Sequence, residues 1–253
     1  MKLKIMTFNL RTSNAKSDGI NSFENRKPYI KALITRHAPH LIGFQEVTDD
    51  MLAFLRGELS CAYEIIACGR NENCRGEGVT LAYRRDDFVA VKSETFWLSP
   101  TPNDPGSTYG GDQSSCPRIT TYVKLKADGA DTPFIFANTH FDHLGENARV
   151  LEAEQMSEFL KKDLCPVFLT GDFNDFPTSA AIRKLGETLT DLTSDVGATF
   201  HNFGAPDYTP VKIDYIFTNI KAPTYTSELI SDGPFNGVYP SDHYPVLATI
   251  EYN

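Results

Sequence analysis

The chain has 253 residues, of which 41% are hydrophobic, 11% aromatic and 23% charged, the proportions of an ordinary globular protein. Its 24 Lys and Arg against 33 Asp and Glu give a formal net charge of −9. This charge disfavours avid non-specific binding to DNA unless a local basic cleft exists. No apolar run reaches membrane-spanning length, and the N-terminal segment does not have the pattern of a signal peptide.

The predicted elements mix strands with helices instead of alternating them strictly. Strands are assigned to short β-branched or aromatic runs, and helices to apolar positions at helical spacing. In chain order the predicted elements are strand Leu3–Phe8, helix Arg26–His37, strand Leu41–Phe44, a helix that contains Leu52 and Leu55, strands Val79–Arg84, Phe88–Leu98, Ile119–Lys126 and Phe134–Asn138, helix Val150–Leu160, strand Val167–Thr170, helix Ala180–Leu185, and strands Ile213–Phe217 and Val246–Ile250. This order predicts an α/β (α+β) fold with antiparallel or mixed sheets covered by helices, in a single domain over residues 1–253.

The segment Ser99–Pro117 contains four prolines and three glycines and has little apolar content. A loop of about this length inside a compact domain is usually functional or disordered. Two hypotheses follow for this loop. It closes over one side of a site and restricts that site to a compact ligand, or it is flexible.

Two sets of residues are interpreted as structural. The charged residues of the helix near residue 155 are assigned to a solvated face; they are Glu152, Glu154, Glu158, Lys161 and Lys162. The cysteines form an odd set without a C-x-x-C pair, so they predict packing residues in a reducing cytoplasm and neither a disulfide framework nor a thiolate zinc site. They are Cys61, Cys68, Cys74, Cys116 and Cys165.

Polar residues recur at the ends of the apolar strand cores, which fix their terminal side chains as a site requires. They are Asn9, Gln45, Glu46, Asn138, His140, Asp142, Asp172, Asn174, Asp242 and His243. Any one of them alone is more often a turn residue or a helix cap, so the prediction depends on their joint order. Asp214 differs because it lies inside a predicted strand, where a lone buried charge is costly and needs a partner.

The joint order of these motifs resembles the endonuclease/exonuclease/phosphatase superfamily of metal-dependent phosphoesterases. The resemblance covers essentially the whole chain, from Thr7-Phe8-Asn9-Leu10-Arg11 to Ser241-Asp242-His243-Tyr244-Pro245-Val246. It implies a four-layer sandwich, in which two mixed β-sheets pack face to face with helices on both outer faces. The start of the chain looks most like a bacterial branch of the superfamily, and the substrate does not carry over from the resemblance.

The resemblance implies a metal site that contains Asn9 and Glu46, with Glu46 as the main ligand of Mg²⁺. Asp242 would add to the metal side or to the nucleophile side of the site. Mg²⁺ is a hard ion that is commonly held by one or two carboxylates together with the substrate phosphate, and Mn²⁺ is a possible substitute. Zinc is disfavoured because the chain offers neither thiolate pairs nor a cluster of histidines.

The resemblance also implies roles for the residues around the reacting phosphate. Asp172 and Asn174 would face the attacking water and the phosphoryl oxygens. His243 would be the general base or a phosphate contact, with Asp214 orienting its imidazole ring. Such a pair fixes the imidazole tautomer and stabilises the imidazolium that forms.

Five further positions are compared with the superfamily. His140 matches a second active-site histidine of the deoxyribonuclease branch, and Arg118 matches a position that contacts phosphate. His40 stands where the superfamily usually has Asp, which we expect to affect local structure more than chemistry. Asp142 and His143 have no assured equivalent, so their roles stay open.

These observations predict a Mg²⁺-dependent hydrolase of phosphodiester or phosphomonoester bonds, in which water attacks a small or headgroup-sized substrate. One alternative is a nuclease that acts on DNA or RNA, which would need a basic, aromatic-lined groove. Another is a non-catalytic binding module of the same fold, against which the retention of every matched polar position argues. Phe203, Tyr208 and Trp97 could line a pocket, although aromatic residues near strands more often belong to the core.

The expected partner is therefore a phosphorylated small molecule, a lipid headgroup or a nucleic acid bound as substrate. Arg84-Arg85 and Lys161-Lys162 are the basic clusters of the chain, and a net charge of −9 is easier to reconcile with a compact substrate than with duplex DNA. We expect neither membrane insertion nor a protein partner.

Overall fold

The computed structural model describes residues 2–127, 129–130 and 132–251, in which twelve strands and four α-helices are found. In chain order they are β1 (Lys2–Asn9), α1 (Phe23–His37), β2 (Leu41–Val47), α2 (Asp49–Leu59), β3 (Tyr63–Gly69), β4 (Gly78–Arg84), β5 (Phe88–Trp97), β6 (Ile119–Ala127), β7 (Phe134–His140), α3 (Glu146–Lys161), β8 (Val167–Asp172), α4 (Ala180–Gly186), β9 (Thr190–Asp191), β10 (Asp214–Thr218), β11 (Tyr225–Leu229) and β12 (Val246–Glu251). Short 3-10 helices span Lys16–Asn21 and Asn202–Gly204.

The strands form two mixed sheets with the orders β11-β12-β1-β2-β4-β3 and β5-β6-β7-β8-β10-β9. Across residues 2–127, 129–130 and 132–251, each sheet has one parallel pair, β1 with β2 and β7 with β8, and its other neighbours are antiparallel. Asn9 lies beside Gln45 in the first pair, and His140 lies beside Asp172 in the second. The polar residues singled out by the sequence therefore collect at the carboxyl ends of the two parallel pairs.

Apolar side chains pack in three layers that hold the sheets and helices together. The inner layer, between the two sheets, includes Leu3 and Phe136. A second layer between the first sheet and α1 and α2 includes Ile30 and Leu55, and a third between the second sheet and α3 and α4 includes Met156. The predicted four-layer sandwich, with helices on both outer faces, is confirmed. Within the described part of the chain, no helix is both long and apolar enough to cross a membrane.

The sequence predicted most elements but missed three strands, β3, β9 and β11, each of which lies at the edge of a sheet. Residues of β3 and β11 are largely half-buried or exposed, so their hydrophobic pattern is weak. Helix α1 begins at Phe23 and not at Arg26. The expectation that all five cysteines are packing residues is wrong for Cys61 and Cys74, which are exposed.

Three polar side chains link the two sheets, and we call them the inter-sheet polar bridge: Gln45, Asn138 and Thr170. Gln45 Nε2 donates to Asn138 Oδ1 at 2.7 Å, and Thr170 Oγ1 donates to the same oxygen at 3.1 Å. Asn138 Nδ2 donates to the Phe44 carbonyl oxygen at 2.8 Å. A Cβ at Gly43 would lie 2.1 Å from Thr170 Oγ1, so only glycine allows this close approach.

Candidate active site

Asn9 and Glu46 meet at the carboxyl ends of β1 and β2. Asn9 Nδ2 donates to Glu46 Oε1 at 3.0 Å and to Asp172 Oδ2 at 2.8 Å, which ties the first sheet to the second. The Thr12 backbone N–H donates to Glu46 Oε2 at 2.8 Å. Burial alone would raise the pKa of Glu46, but these bonds from Thr12 and Asn9 outweigh it and lower the pKa. Glu46 is therefore held as an oriented carboxylate.

Three residues around the site have a left-handed backbone conformation that residues other than glycine rarely adopt. The φ angles are +53° at Arg11, +60° at Glu46 and +49° at Asn174. Such conformations cost on the order of 1–3 kcal/mol each and persist where the surroundings enforce them. The cost is consistent with a functional demand on where these side chains lie.

Asp172 lies at the centre of the site. Its Oδ1 accepts from the Asn174 backbone N–H at 2.9 Å. Its Oδ2 is 3.6 Å from His140 Nε2 and 3.7 Å from His243 Nε2. Burial, followed by the nearby charge of Asp214, raises the pKa of Asp172 to about 7.

His243 and Asp214 form a buried pair, which supplies the partner that the sequence required for Asp214. His243 Nδ1 donates to Asp214 Oδ2 at 2.9 Å, and Thr199 Oγ1 donates to the same oxygen at 2.5 Å. Asp214 Oδ1 has no hydrogen-bond partner among the described residues. Burial opposes the charge of His243, but the carboxylates of Asp214, Asp172 and Asp242 outweigh it and raise its pKa to about 10.

His140 has the opposite character. Burial, followed by the positive charges of Arg118 and Arg70, holds the pKa of His140 well below its ordinary value. The ring is therefore neutral, and its Nε2 accepts from Asn174 Nδ2 at 3.0 Å. Asn174 Nδ2 also donates to the Phe141 carbonyl oxygen at 2.9 Å, so the amide orientation is fixed.

Arg118 lies in the wall of the site, beside the segment that follows β7. Its side chain is buried, and Nη2 donates to His143 Nδ1 at 2.8 Å. Arg118 Nε lies 3.5 Å from Asp142 Oδ2. Asp142 also accepts from the backbone N–H of Ser114 at 3.1 Å and from that of Gly145 at 2.8 Å. Asp142 therefore anchors one end of the 99–117 loop beside Arg118.

Further contacts hold the 99–117 loop on α3. Tyr109 Oη donates to Gln155 Oε1 at 2.8 Å. Asp112 accepts from the backbone N–H groups of Asn147 and Ala148, at 2.9 Å and 3.1 Å, and so caps the start of α3. These anchors argue against the hypothesis of a flexible loop, and the hypothesis that the loop restricts the site to a compact ligand stays a prediction.

Asp242 lies beside Arg11, whose Nε is 3.6 Å from its Oδ2. Burial raises the pKa of Asp242. The fully buried Arg26 donates to the carbonyl oxygens of Leu10, Arg11 and Pro240 and thereby clamps the segments that carry Arg11 and Asp242. The sequence had no signal for this role, because a buried arginine looks like any other helical arginine in a hydropathy pattern.

Two groups of side chains bring enough ligand atoms together to hold a metal ion. Glu46, His140 and Asp172 form the first, and Asp172, Asp214 and His243 form the second, with ligand atoms within 4.8 Å of one another. The first group is the better metal site, because His243 of the second donates to Asp214 and its raised pKa keeps the ring protonated. In the described chain Asp242 belongs to neither group. The donor set fits a divalent cation, because the carboxylate oxygens of Glu46 and Asp172 are the hard ligands that such ions prefer.

These side chains surround a cavity of about 350 Å³. The sequence-predicted residues that line it are Glu46, Arg118, His140, Asp172, Asn174, Asp242 and His243. Asn9 and Asp214 are fully buried behind them, hydrogen-bonded to Asp172 and His243 respectively. A larger groove of about 600 Å³ between the 99–117 loop and α3 contains none of these residues.

The fold and the site can now be compared with known proteins. Residues 6–243 match the model of the endonuclease/exonuclease/phosphatase family. The chain belongs to this family. The family comprises hydrolases that act on phosphate esters, and the resemblance seen in the sequence is confirmed. A search of curated proteins found no match.

Solved structures of the endonuclease/exonuclease/phosphatase family resemble the chain over almost its full length. A family member from Bacteroides vulgatus is 32% identical, with a TM-score of 0.90 and 100% of both chains covered. One from Bacteroides thetaiotaomicron is 30% identical, with a TM-score of 0.88 over 99% of this chain and 97% of the other. A mannosyl-6-phosphatase from the same organism is 29% identical, with a TM-score of 0.86 over 99% and 100%.

Some positions compared with the endonuclease/exonuclease/phosphatase family have structural roles. His40 Nδ1 accepts from the Lys4 backbone N–H at 2.9 Å, which holds the residue before β2 against β1. Of the aromatic residues that could line a pocket, Trp97 is buried and Tyr208 packs on Phe200. Phe200 itself lines the cavity.

The interpretation of Glu152 as part of a solvated helix face is wrong, whereas Glu154 and Glu158 are exposed as expected. Glu152 is fully buried on the inner face of α3, where its Oε2 accepts from the Asp142 backbone N–H at 2.9 Å. Its Oε1 has no hydrogen-bond partner in the part of the chain that the structure describes. Burial raises the pKa of Glu152 to about 8, so the carboxyl group is protonated near neutral pH.

Replacing Glu152 with Gln should raise the free energy of unfolding near pH 7 by on the order of 3 kcal/mol. Between its ordinary value of 4.5 and about 8, Glu152 ionises in the unfolded chain but stays protonated in the fold, so rising pH favours unfolding. Glutamine has the same shape and does not ionise. Urea denaturation near pH 5 and near pH 8 would measure the gain, which should be much larger at the higher pH.

Glu158→Gln, on the exposed face of the same helix, is the matched control and should change stability little at either pH. An equal gain for Glu152→Gln at both pH values would contradict the assignment of a raised pKa.

Proposed function

We propose that the protein hydrolyses phosphate esters of small molecules with the help of Mg²⁺ or Mn²⁺. The observation that carries the proposal is the meeting of Glu46, His140 and Asp172 with the His243–Asp214 pair around one cavity of about 350 Å³. A similar protein is a mannosyl-6-phosphatase, which supports a compact phosphorylated substrate. Retention of this whole arrangement argues against a non-catalytic binding module.

Glu46 would hold the metal ion, and Asn9 would keep Glu46 and Asp172 in place through its two hydrogen bonds. When bound, the ion would neutralise charge on the phosphoryl oxygens and on the leaving oxygen. Arg118, which lines the same cavity, would add a fixed positive charge. Asp242 would support the charge of His243, to whose raised pKa it contributes.

Two residues would handle protons and charge on the reacting phosphate. His243 keeps its proton in this carboxylate-rich environment, so of its two predicted roles we propose the phosphate contact, in which Nε2–H donates to a phosphoryl oxygen. Asp172 would accept a proton of the water that attacks phosphorus as the bond to the leaving oxygen breaks. Asn174 and the neutral His140 would position the phosphoryl group.

We propose that the chain acts as a single domain, because residues of both sheets contribute to the site. We also propose a reducing cytoplasm as its location, a proposal that the five free cysteines support.

We expect small phosphate esters to be hydrolysed with a higher kcat/KM than DNA. Duplex binding needs several phosphate contacts from Lys or Arg, whereas the chain carries a net charge of −9. The measurement compares plasmid DNA, single-stranded oligonucleotides and a panel of small phosphate esters, with Mg²⁺ and with Mn²⁺, at physiological salt. If DNA cleavage is the most efficient reaction, and it falls steeply as salt is raised, the nuclease alternative replaces the proposal.

A further inference from the structure

We propose that Arg70 and Glu77 form a hydroxyl-recognition subsite of the cavity, so that the preferred substrates are phosphate esters of polyhydroxylated molecules such as sugars. This inference rests on the proposed phosphoesterase function and names its substrate class. The two residues lie on the turn between β3 and β4, which is outside every motif that the sequence singled out.

Arg70 and Glu77 are an ion pair in the wall of the cavity. Arg70 Nη2 lies 2.9 Å from Glu77 Oε2, and their side chains are 17% and 20% exposed. Both line the same cavity as His140 and His243. Arg70 and Glu77 also border a small pocket together with Glu46, Arg118 and His140, so the pair lies next to the residues of the phosphate end of the site.

The backbone holds the pair in place. The Arg70 N–H donates to the Glu77 carbonyl oxygen at 3.0 Å, which closes the turn between β3 and β4. The Arg70 carbonyl oxygen accepts from Nε1 of the buried Trp97 at 2.7 Å, so Trp97 of β5 helps to hold the turn in place. A rigid support of this kind is what a recognition subsite requires.

The charges of the pair decide which part of a substrate it suits. Glu77 is an acceptor beside the donors of Arg70, so a phosphate group placed here would be repelled by one partner as it is attracted by the other. A hydroxyl group both donates and accepts, and vicinal hydroxyls match a carboxylate and a guanidinium at once. Arg118 differs from Arg70 because its carboxylate neighbour, Asp142, is fully buried and does not line the cavity, whereas Glu77 does. The pair therefore suits the alcohol part of an ester.

The size of the cavity agrees with this class of substrate. A volume of about 350 Å³ lies at the lower end of the range for small-molecule pockets, which is about 300–1,000 Å³. One compact ester could place its phosphate between Glu46 and His243 while its hydroxyls contact Arg70 and Glu77.

The test compares hexose and alkyl esters on the wild type, Arg70→Ala, Glu77→Gln and Arg75→Ala. Glucose 6-phosphate, mannose 6-phosphate and n-hexyl phosphate have the same number of carbon atoms in the alcohol part and differ in their hydroxyl groups. Arg75 is the control, because it lies on the same turn but is exposed and pairs with Asp49 outside the cavity. Steady-state kcat and KM are measured for each pair of variant and ester, with Mg²⁺ and with Mn²⁺.

We expect the wild type to prefer at least one hexose phosphate over hexyl phosphate by about tenfold or more in kcat/KM. Arg70→Ala and Glu77→Gln should each lower kcat/KM for that hexose phosphate by about tenfold, mainly through KM, and hexyl phosphate by less than about threefold. Arg75→Ala should keep the wild-type preference. Glu77→Gln keeps the shape of the side chain, so it tests the proposal even if Arg70→Ala does not fold.

Two results would overturn the inference. One is a wild type without preference for either hexose phosphate, and the other is an equal loss on all three esters, which would make Arg70 a phosphate contact. A wild type that hydrolyses none of the three esters would also overturn the inference, whereas hydrolysis of other small phosphate esters in the comparison with DNA would show that the proposed function stands.

Discussion

Replacing His243 with Ala should lower kcat by about 10³-fold, because the site would lose the donor that we propose for the phosphoryl oxygen. Asp214→Asn should cost as much or somewhat less. The carboxylate of Asp214 fixes the imidazole through a 2.9 Å bond and is the largest source of its raised pKa. An amide at this position removes that charge while it preserves the shape of the side chain.

A double-mutant cycle measures whether the two residues act as one unit. If they do, the double variant should be barely slower than His243→Ala, since effects within a unit are strongly non-additive. His37→Ala, at the carboxyl end of α1 and outside the cavity, is a control that should leave kcat unchanged. Fully additive losses would mean that His243 and Asp214 act separately.

The second large effect is the loss of activity when the metal ion is removed. Protein stripped with EDTA should lose phosphoesterase activity and regain it with Mg²⁺ or Mn²⁺. Glu46→Gln should weaken metal binding by more than the about 10–100-fold that the loss of a second-shell partner costs, because a charged ligand itself is removed. The fold should persist, since Gln keeps the size of Glu46.

Calorimetric titration with Mn²⁺ reports the affinity directly and does not depend on turnover. Glu58→Gln, which removes the partner of Lys31 on the exposed surface of α2, is the matched control and should bind Mn²⁺ like the wild type. Undiminished turnover in excess EDTA would contradict metal dependence.

The strand cores and their polar ends could be predicted from the sequence because both are local patterns. An apolar run such as 167–170 followed by Gly171-Asp172 needs no knowledge of the rest of the chain. The need of Asp214 for a partner was also readable, because a carboxylate inside a strand is costly unless it is paired. Which residue supplies that partner depends on the fold, since His243 comes 29 positions later.

Two features had no local signal in the sequence, namely the Arg70–Glu77 pair and the burial of Glu152. Arg70 and Glu77 lie on a turn next to β3, an edge strand whose half-buried residues show no clear period. Glu152 has the sequence context of a surface glutamate, and only the packing of α3 against the second sheet buries it. Charged residues are mostly exposed, so sequence reasoning assigns such buried exceptions to the surface.

The inter-sheet polar bridge holds the two sheets in one alignment, and loss of that alignment is one way in which activity can be lost. Neither sheet contains a complete site, since Asn9 and Glu46 come from one and Asp172 and His140 from the other. A small sliding of one sheet over the other would break the 2.8 Å bond between Asn9 and Asp172 while every strand ladder stayed intact. Alignment of the two sheets is therefore a separate requirement from their stability, and a protein that is misaligned in this way would be folded by spectroscopic criteria and inert.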